Sequence, residues 1–183
     1  FSRAEADFSH PESLRQIVRN VGADIIVNAV AYTAVDKAES EEPLAHNINA
    51  DSPTVLAQEA KRSDALLVHY STDYVFDGTK TAPYVEEDRP NPINAYGRTK
   101  LAGERCIQAT GCRHLILRTS WVYSSRGQNF LKTILRLAQQ REELRIVADQ
   151  FGAPTSARFI ADVTSRIFAR IRPLDSFSER EVN

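Results

Sequence analysis

Short apolar runs rich in β-branched residues alternate along this chain with segments of helical periodicity, and this alternation constrains the fold more than any other feature. The apolar runs occupy residues 24–30, 65–70 and 114–118. Nearly continuous apolar runs of this length are typical of strands that are buried on both faces of a parallel sheet. Helical periodicity follows at residues 41–62, 94–109 and 130–140. The sequence therefore predicts an α/β fold in which helices cover a parallel sheet.

Further elements can be predicted near both ends of the chain. Leu14, Ile17, Val18 and Val21 repeat at helical spacing, and Gly22 is expected to end that helix. Pro53 lies inside the helical segment 41–62 and should kink it or divide it in two. A short strand is expected at residues 144–147 and a last amphipathic helix at residues 157–171.

The composition excludes several classes of partner. The chain has 183 residues, with 23 basic and 24 acidic side chains and a formal net charge of −1. Nucleic-acid binding depends on a concentrated basic face, so this balance predicts no nucleic-acid partner. No stretch approaches the roughly 18 apolar residues of a membrane span, so no membrane partner is expected. Two cysteines are too few for a disulfide scaffold, which fits the cytoplasm.

Polar and aromatic residues follow each of the three predicted strands directly. They occupy residues 29–33, 71–74 and 119–121. In open α/β sheets ligands bind beyond the carboxyl ends of the strands, and these ends meet at one edge of a parallel sheet. The topology therefore predicts a binding site at this edge.

Tyr96 and Lys100 lie four residues apart in the predicted helix 94–109, so their side chains share one face. A phenol titrates at a pH of about 10, and a nearby ammonium group is expected to lower that pKa. With the Thr72 hydroxyl orienting a carbonyl group, Tyr96 could give its proton to the carbonyl oxygen. The same spacing also occurs in ordinary helices, so the pattern alone leaves both interpretations open.

Five blocks of residues resemble the extended short-chain dehydrogenase/reductase superfamily and, within it, the dTDP-4-dehydrorhamnose reductases. The blocks are NAVAYTAVDKAE (28–39), HYSTDYVFDG (69–78), NAYGRTKLAGE (94–104), LRTSWVY (117–123) and DQFGAPT (149–155). The resemblance implies an incomplete Rossmann-like, doubly wound parallel sheet with helices on both faces. It also implies reduction of the 4-keto group of dTDP-4-dehydro-L-rhamnose by NADPH or NADH, the last step towards dTDP-L-rhamnose for surface polysaccharides.

The matched blocks also imply roles for individual residues. Tyr96 is similar to the family's proton donor, and Lys100 to the residue that lowers the tyrosine pKa and holds the nicotinamide ribose. Thr72 matches the hydroxyl that binds the keto oxygen, and Asp73 and Trp121 match substrate contacts.

Other residues match cofactor contacts of the same family, alongside Tyr96 and Lys100. They are Asp7, Phe8, Ala31, Tyr32, Thr33 and Tyr70. No metal is expected, because the four histidines show no metal-ligand spacing. The resemblance implies a dTDP-sugar as the substrate and allows a homodimer of the full-length protein.

Three alternatives stay open from the sequence. Related dehydratases place two acids after the threonine, whereas Asp73 is followed here by Tyr74, which disfavours dehydration. Another nucleotide-sugar 4-epimerase or reductase would need the same Thr72, Tyr96 and Lys100. A non-catalytic relative, such as a methionine adenosyltransferase regulatory subunit, resembles this family and acts through binding.

The chain is expected to be a fragment of a longer protein. It contains no methionine, and no G-x-G-x-x-G loop for a pyrophosphate occurs in it. The resemblance implies a G-x-x-G-x-x-G loop before residue 1 and more of the substrate domain after residue 183. Residues 1–143 are expected to form part of the NAD(P)-binding domain, and residues 144–183 to begin the sugar-nucleotide-binding region.

Overall fold

A computed structural model describes residues 1–147 and 149–171 and confirms the α/β fold. Its strands are β1 (Ile25–Asn28), β2 (Leu66–Thr72), β3 (His114–Thr119), β4 (Val122–Tyr123) and β5 (Thr155–Ser156). Its α-helices are α1 (Ser13–Val21), α2 (Val35–Ala38), α3 (Glu42–His46), α4 (Ser52–Ser63), α5 (Ala95–Thr110), α6 (Phe130–Ala138) and α7 (Ala157–Ile171). A π-helix (Asn47–Asp51) precedes α4, and a 3-10 turn (Asp73–Val75) follows β2.

The chain divides into two compact units, Phe1–Thr119 and a second that begins at Ser120. In the first unit β1, β2 and β3 form a parallel sheet in that order. Asn28 pairs with His69, and Thr72 pairs with Thr119, so the carboxyl ends of the strands share one edge. In the second unit β4 pairs with β5 in parallel. The predicted domain boundary after residue 143 stays a prediction about the longer protein.

The main core of the first unit lies between β2 and the helices α1, α4 and α5. Leu14, Leu67 and Ile107 are at most 2% exposed and contribute to this core from α1, β2 and α5. Burying a side chain of this size stabilises the fold by about 1.5–3 kcal/mol. The apolar positions that predicted the elements are therefore the ones that hold them together.

A buried carboxylate fastens α1 to α4 beside this core. Glu59 is 1% exposed, and it accepts hydrogen bonds from the guanidinium groups of Arg15, Arg19 and Arg62 at 2.7–2.9 Å. These bonds hold the pKa of Glu59 down at about 2 against the opposing effect of burial. The ionised carboxylate is thus a fixed part of the fold.

Pro53 does not divide the helical segment, whose backbone stays helical from Glu42 to Ser63. Pro53 has no N–H to donate, and the helix accommodates it by widening into a π-helix just before it, between α3 and α4. The π-helix packs against α5, which is the helix that contains Tyr96 and Lys100.

The prediction of a strand at residues 144–147 is wrong. These residues are irregular, and Ile146 and Val147 are 49% and 67% exposed. An apolar run forms a strand only where a neighbouring strand satisfies its backbone hydrogen-bonding groups. In this unit β4 pairs with β5 and not with residues 144–147. Within the described residues, no helix is both long and apolar enough to cross a membrane.

Candidate functional site

Tyr96 and Thr72 lie together where β2 ends and α5 begins. Both residues are buried, at 9% and 5% exposure. The Asn94 side chain accepts a 2.8 Å hydrogen bond from the Gly97 N–H and thereby begins α5 at this point. A Cβ atom on Gly97 would overlap the carbonyl oxygen of Tyr74, in the turn after β2. The close approach of α5 to this turn sets the Tyr96 phenol beside the Thr72 hydroxyl.

Burial raises the pKa of Tyr96, while a hydrogen bond with Thr72 opposes the rise and the charge of Asp73 adds to it. The prediction that Lys100 lowers the pKa of Tyr96 is therefore wrong for the structure described. Lys100 Nζ instead donates a 2.7 Å hydrogen bond to the Tyr70 carbonyl oxygen. Tyr96 consequently stays a protonated phenol, which is the form that can donate a proton.

Lys100 is the largest side chain of this site that is fully buried, at 1% exposure. Its Nζ also lies 3.2 Å from His69 Nε2. Burial lowers the pKa of Lys100 to about 8, and the charge of Glu104 opposes this shift. Glu104 is itself paired with Arg118 through two hydrogen bonds of 2.7 and 3.0 Å. Lys100 is therefore still mostly charged at pH 7, but its neutral form becomes accessible at a lower pH than that of a solvated lysine.

Five of the predicted cofactor residues line one cavity of about 800 Å³ along β1. They are Asp7, Phe8, Ala31, Tyr32 and Thr33. Tyr70, Tyr96 and Lys100 lie outside this lining, at the junction of β2 and α5. The structure thus places the predicted cofactor residues in two groups.

The chemistry of both groups fits a nicotinamide dinucleotide. In the cavity, the Asp7 carboxylate is held by the Ser9 N–H and hydroxyl at 2.9 and 2.7 Å, and apolar walls adjoin it. A fixed acceptor beside apolar walls suits an adenosine group. Lys100 has N–H donors of the kind that ribose hydroxyls accept, but its side chain is 1% exposed and Nζ already donates to the Tyr70 carbonyl oxygen. The Tyr32 hydroxyl is likewise less available to a cofactor, because it already donates a hydrogen bond to Glu41 Oε2 at 2.5 Å.

Trp121 belongs to the second unit, where its backbone has a φ of 44°. Its carbonyl oxygen accepts a 3.3 Å hydrogen bond from the Thr155 N–H, next to the pairing of β4 with β5. Gly152 faces the indole ring so closely that a Cβ atom there would lie 2.5 Å from Cε2 of Trp121. The side chain is 41% exposed, so the ring is held on one side and open on another.

Replacing Gly152 with Ala is expected to displace the Trp121 ring, since the added methyl group would overlap it. Trp121 is the chain's only tryptophan, so its fluorescence maximum and quenching by acrylamide report this ring alone. We expect both to change. Gly127→Ala is the control for overlap, because a Cβ atom at Gly127 meets nothing within 4 Å, although the φ of 69° at Gly127 adds backbone strain that Gly152 lacks. Unchanged fluorescence in Gly152→Ala would contradict the predicted overlap.

Two buried polar residues next to this site were not predicted from the sequence. Asn28 and His69 are 2% and 0% exposed, and Asn28 Nδ2 lies 3.0 Å from His69 Nδ1. The sequence feature that could have indicated them is a polar residue inside each of the two apolar runs that predict β1 and β2. Within the described residues, no group of three or more His, Cys, Asp and Glu side chains could hold a metal ion.

Comparisons with known proteins identify the family of this chain. The RmlD substrate binding domain family matches residues 1–177. The dTDP-4-dehydrorhamnose reductases of Burkholderia thailandensis and Escherichia coli K12 are each 55% identical, over 92% and 87% of this chain. A crystal structure of the Clostridium acetobutylicum reductase has a TM-score of 0.88 at 38% identity. The Bacillus anthracis reductase, solved in complex with NADP, has a TM-score of 0.85 at 40% identity.

The matched regions cover most of this chain but only part of each relative. The chain spans 56% and 53% of the lengths of the two curated relatives. Each of the two structural matches covers 93% of this chain and 60% of the solved one. The UDP-glucose 4-epimerase of Thermus thermophilus, at 20% identity and a TM-score of 0.60, shares the fold.

Proposed function

The chain belongs to the RmlD substrate binding domain family, and from that premise we propose that the full-length protein is an NAD(P)H-dependent reductase of a nucleotide sugar. The proposed reaction converts the 4-keto group of dTDP-4-dehydro-L-rhamnose into the hydroxyl group of dTDP-L-rhamnose. The observation that carries this proposal is the buried Thr72–Tyr96 pair one helical turn from Lys100, at the carboxyl edge of the parallel sheet.

In the proposed reaction Tyr96 donates the proton. The Thr72 hydroxyl would orient the keto oxygen, and the phenol of Tyr96 would transfer its proton to that oxygen. Burial keeps Tyr96 protonated at neutral pH, because it disfavours the phenolate. The nicotinamide cofactor supplies the hydride when bound. Lys100 and Tyr70 would hold its ribose side, and Asp7, Phe8 and residues 31–33 its adenosine side.

The remaining parts of the proposal concern the longer protein. Asp73 and Trp121 are proposed to contact the sugar nucleotide. Residues 1–143 would belong to the cofactor-binding domain, and residues 144–183 would begin the sugar-nucleotide-binding region, of which the part beyond residue 171 lies outside the described residues. We also propose the cytoplasm as the site of the reaction, and a homodimer as the assembly to test.

The decisive experiment is a turnover assay with the purified full-length protein. We expect NADPH to be consumed when dTDP-4-dehydro-L-rhamnose is added, with dTDP-L-rhamnose as the product. The same nucleotide sugar with its 4-position already reduced should consume no NADPH. Dinucleotide binding without turnover would contradict the proposal and favour a regulatory relative. Interconversion of 4-epimers without net loss of NADPH would favour an epimerase.

A further inference from the structure

Four polar groups, of which the Asn28, His69 and Lys100 side chains are buried, form a row behind the proposed active site. The Val30 N–H donates a 3.1 Å hydrogen bond to Asn28 Oδ1, and Asn28 Nδ2 lies 3.0 Å from His69 Nδ1. On the other side of the ring, His69 Nε2 lies 3.2 Å from Lys100 Nζ. The row connects β1, β2 and α5. The proposed reaction uses only its last member.

The backbone at Val30 fixes the direction of these hydrogen bonds. A backbone N–H is only a donor, so the Asn28 amide must turn its oxygen to Val30 and its NH₂ group to His69. The NH₂ group is likewise only a donor, so His69 Nδ1 must accept and therefore lacks a proton. A neutral imidazole has a single N–H, which must then be on Nε2.

This tautomer has a consequence for Lys100. The Nε2–H group points at Lys100 Nζ, which can accept a hydrogen bond only as a neutral amine, since an ammonium group has no lone pair. The amine keeps N–H donors for the Tyr70 carbonyl oxygen at 2.7 Å. An ammonium at Lys100 would instead require an acceptor at Nε2, with the imidazole proton moved to Nδ1. The Asn28 amide would then have to turn its oxygen from Val30 to His69.

We propose that Asn28 and His69 are positioning residues that couple the charge of Lys100 to the tautomer of His69 and to the Val30 N–H. Lys100 is a neutral amine when His69 carries its proton on Nε2. It is an ammonium ion when the proton is on Nδ1 and Asn28 has released Val30. One proton from solvent is taken up at Lys100 Nζ, and His69 keeps a single proton throughout.

The surrounding charges allow this coupling near neutral pH. His69 faces Lys100 from β2, and burial together with that charge lowers the His69 pKa to about 3, so its ring stays neutral. Glu104 acts on Lys100 from α5, and Arg118 on β3 neutralises Glu104 through their paired hydrogen bonds. With the Lys100 pKa at about 8, the two states of the row exchange within the working range of most enzymes.

The coupling reaches the predicted cofactor residues. Val30 lines the same cavity as Ala31, Tyr32 and Thr33, and its N–H is held by Asn28 only while Lys100 is neutral. The relevance of Lys100 to catalysis rests on the proposed function, whereas the coupling itself does not.

Nitrogen-15 NMR of histidine tests the coupling directly. His10, His46 and His114 are exposed, so changing all three to Gln in the full-length protein leaves His69 as the only histidine of this chain. We expect a change from the Nδ1–H tautomer at low pH to the Nε2–H tautomer at high pH. Its midpoint should coincide with the Lys100 titration followed by carbon-13 labelling of lysine. A tautomer that does not change with pH, or midpoints more than about one pH unit apart, would overturn the proposal.

Asn28→Asp gives a second test with a predicted sign. A carboxylate at this position only accepts, so His69 should keep its proton on Nδ1 at every pH, and the midpoint of Lys100 should move to higher pH. Asn20→Asp is the control, because Asn20 is exposed on α1 and its side chain accepts from Gln16. A tautomer change that persists in Asn28→Asp would overturn the proposal. Because these measurements need neither substrate nor turnover, their failure is distinct from failure of the reductase assay.

Discussion

Replacing Tyr96 with Phe is expected to lower kcat for keto-sugar reduction by about 10²- to 10⁴-fold, the range usual for loss of a general acid. The change removes one oxygen atom and leaves the ring in its edge-to-face contact with Tyr74, at 5.5 Å between centroids. The hydrophobic contacts of the ring with α2 and α3 also stay. The loss should therefore fall on the proton-transfer step rather than on folding.

The affinity for NADPH separates this explanation from a general disturbance of the site. Tyr96 lies outside the cavity that holds most of the predicted cofactor residues, so the dissociation constant in a fluorescence titration should change by less than about threefold. The expected outcome in the full-length protein is thus a large fall in kcat with little change in cofactor binding.

Tyr84→Phe is the matched control for Tyr96→Phe. Tyr84 also stacks on an aromatic ring, with 4.2 Å between its centroid and that of Phe76, and its hydroxyl donates to Asp77. The same atom is removed, and two hydrogen bonds are lost, the one to Asp77 and the one from the Lys80 N–H, at a cost of about 1 kcal/mol each in stability. Turnover should stay within about twofold of the wild type. Full activity in Tyr96→Phe would show that another group donates the proton.

The central strand of the sheet, β2, could be predicted from the sequence because it is buried along most of its length. The run that predicts β2 is apolar at nearly every position, and Leu66, Leu67 and Val68 are at most 8% exposed. The helices also followed from local signals, as in α1, which ends at Gly22 with a φ of 60°. A helix forms its backbone hydrogen bonds within itself, and a buried strand or helix face needs apolar side chains at regular positions. Both requirements leave a pattern that can be read in the sequence.

The missed elements lack such a pattern. β4 and β5 have two residues each, which is too short for any periodicity. The π-helix depends on contacts with α5 that lie some 50 positions away in the sequence, such as the 3.1 Å hydrogen bond from Asn49 to Thr99. At the site, the motifs indicated Thr72, Tyr96 and Lys100. They could not indicate that Lys100 turns towards His69 and Tyr70, because tertiary packing decides this.

Gly103 in α5 makes a close tertiary contact with the π-helix. A Cβ atom on Gly103 would overlap the backbone carbonyl oxygen of Asn49 in the π-helix. The overlap is with backbone, and backbone on both sides is held by helical hydrogen bonds, so neither side can move away locally. The side chain of Asn49 also joins the Tyr32 backbone to Thr99. Any displacement of Asn49 would therefore reach both the core and the predicted cofactor residues.

Gly103→Ala is accordingly expected to lower the free energy of unfolding by about 3 kcal/mol, the upper end for overpacking a close-packed interior. In an uncrowded helix the same change stabilises by about 0.5–1 kcal/mol, so the sign of the effect is diagnostic. Urea unfolding followed by circular dichroism measures the difference. Gly22→Ala separates steric overlap from backbone strain, because Gly22 has a positive φ but nothing within 4 Å of a Cβ atom. It should cost only about 1 kcal/mol, and a Gly103→Ala protein as stable as the wild type would contradict the close packing of α5 on the π-helix.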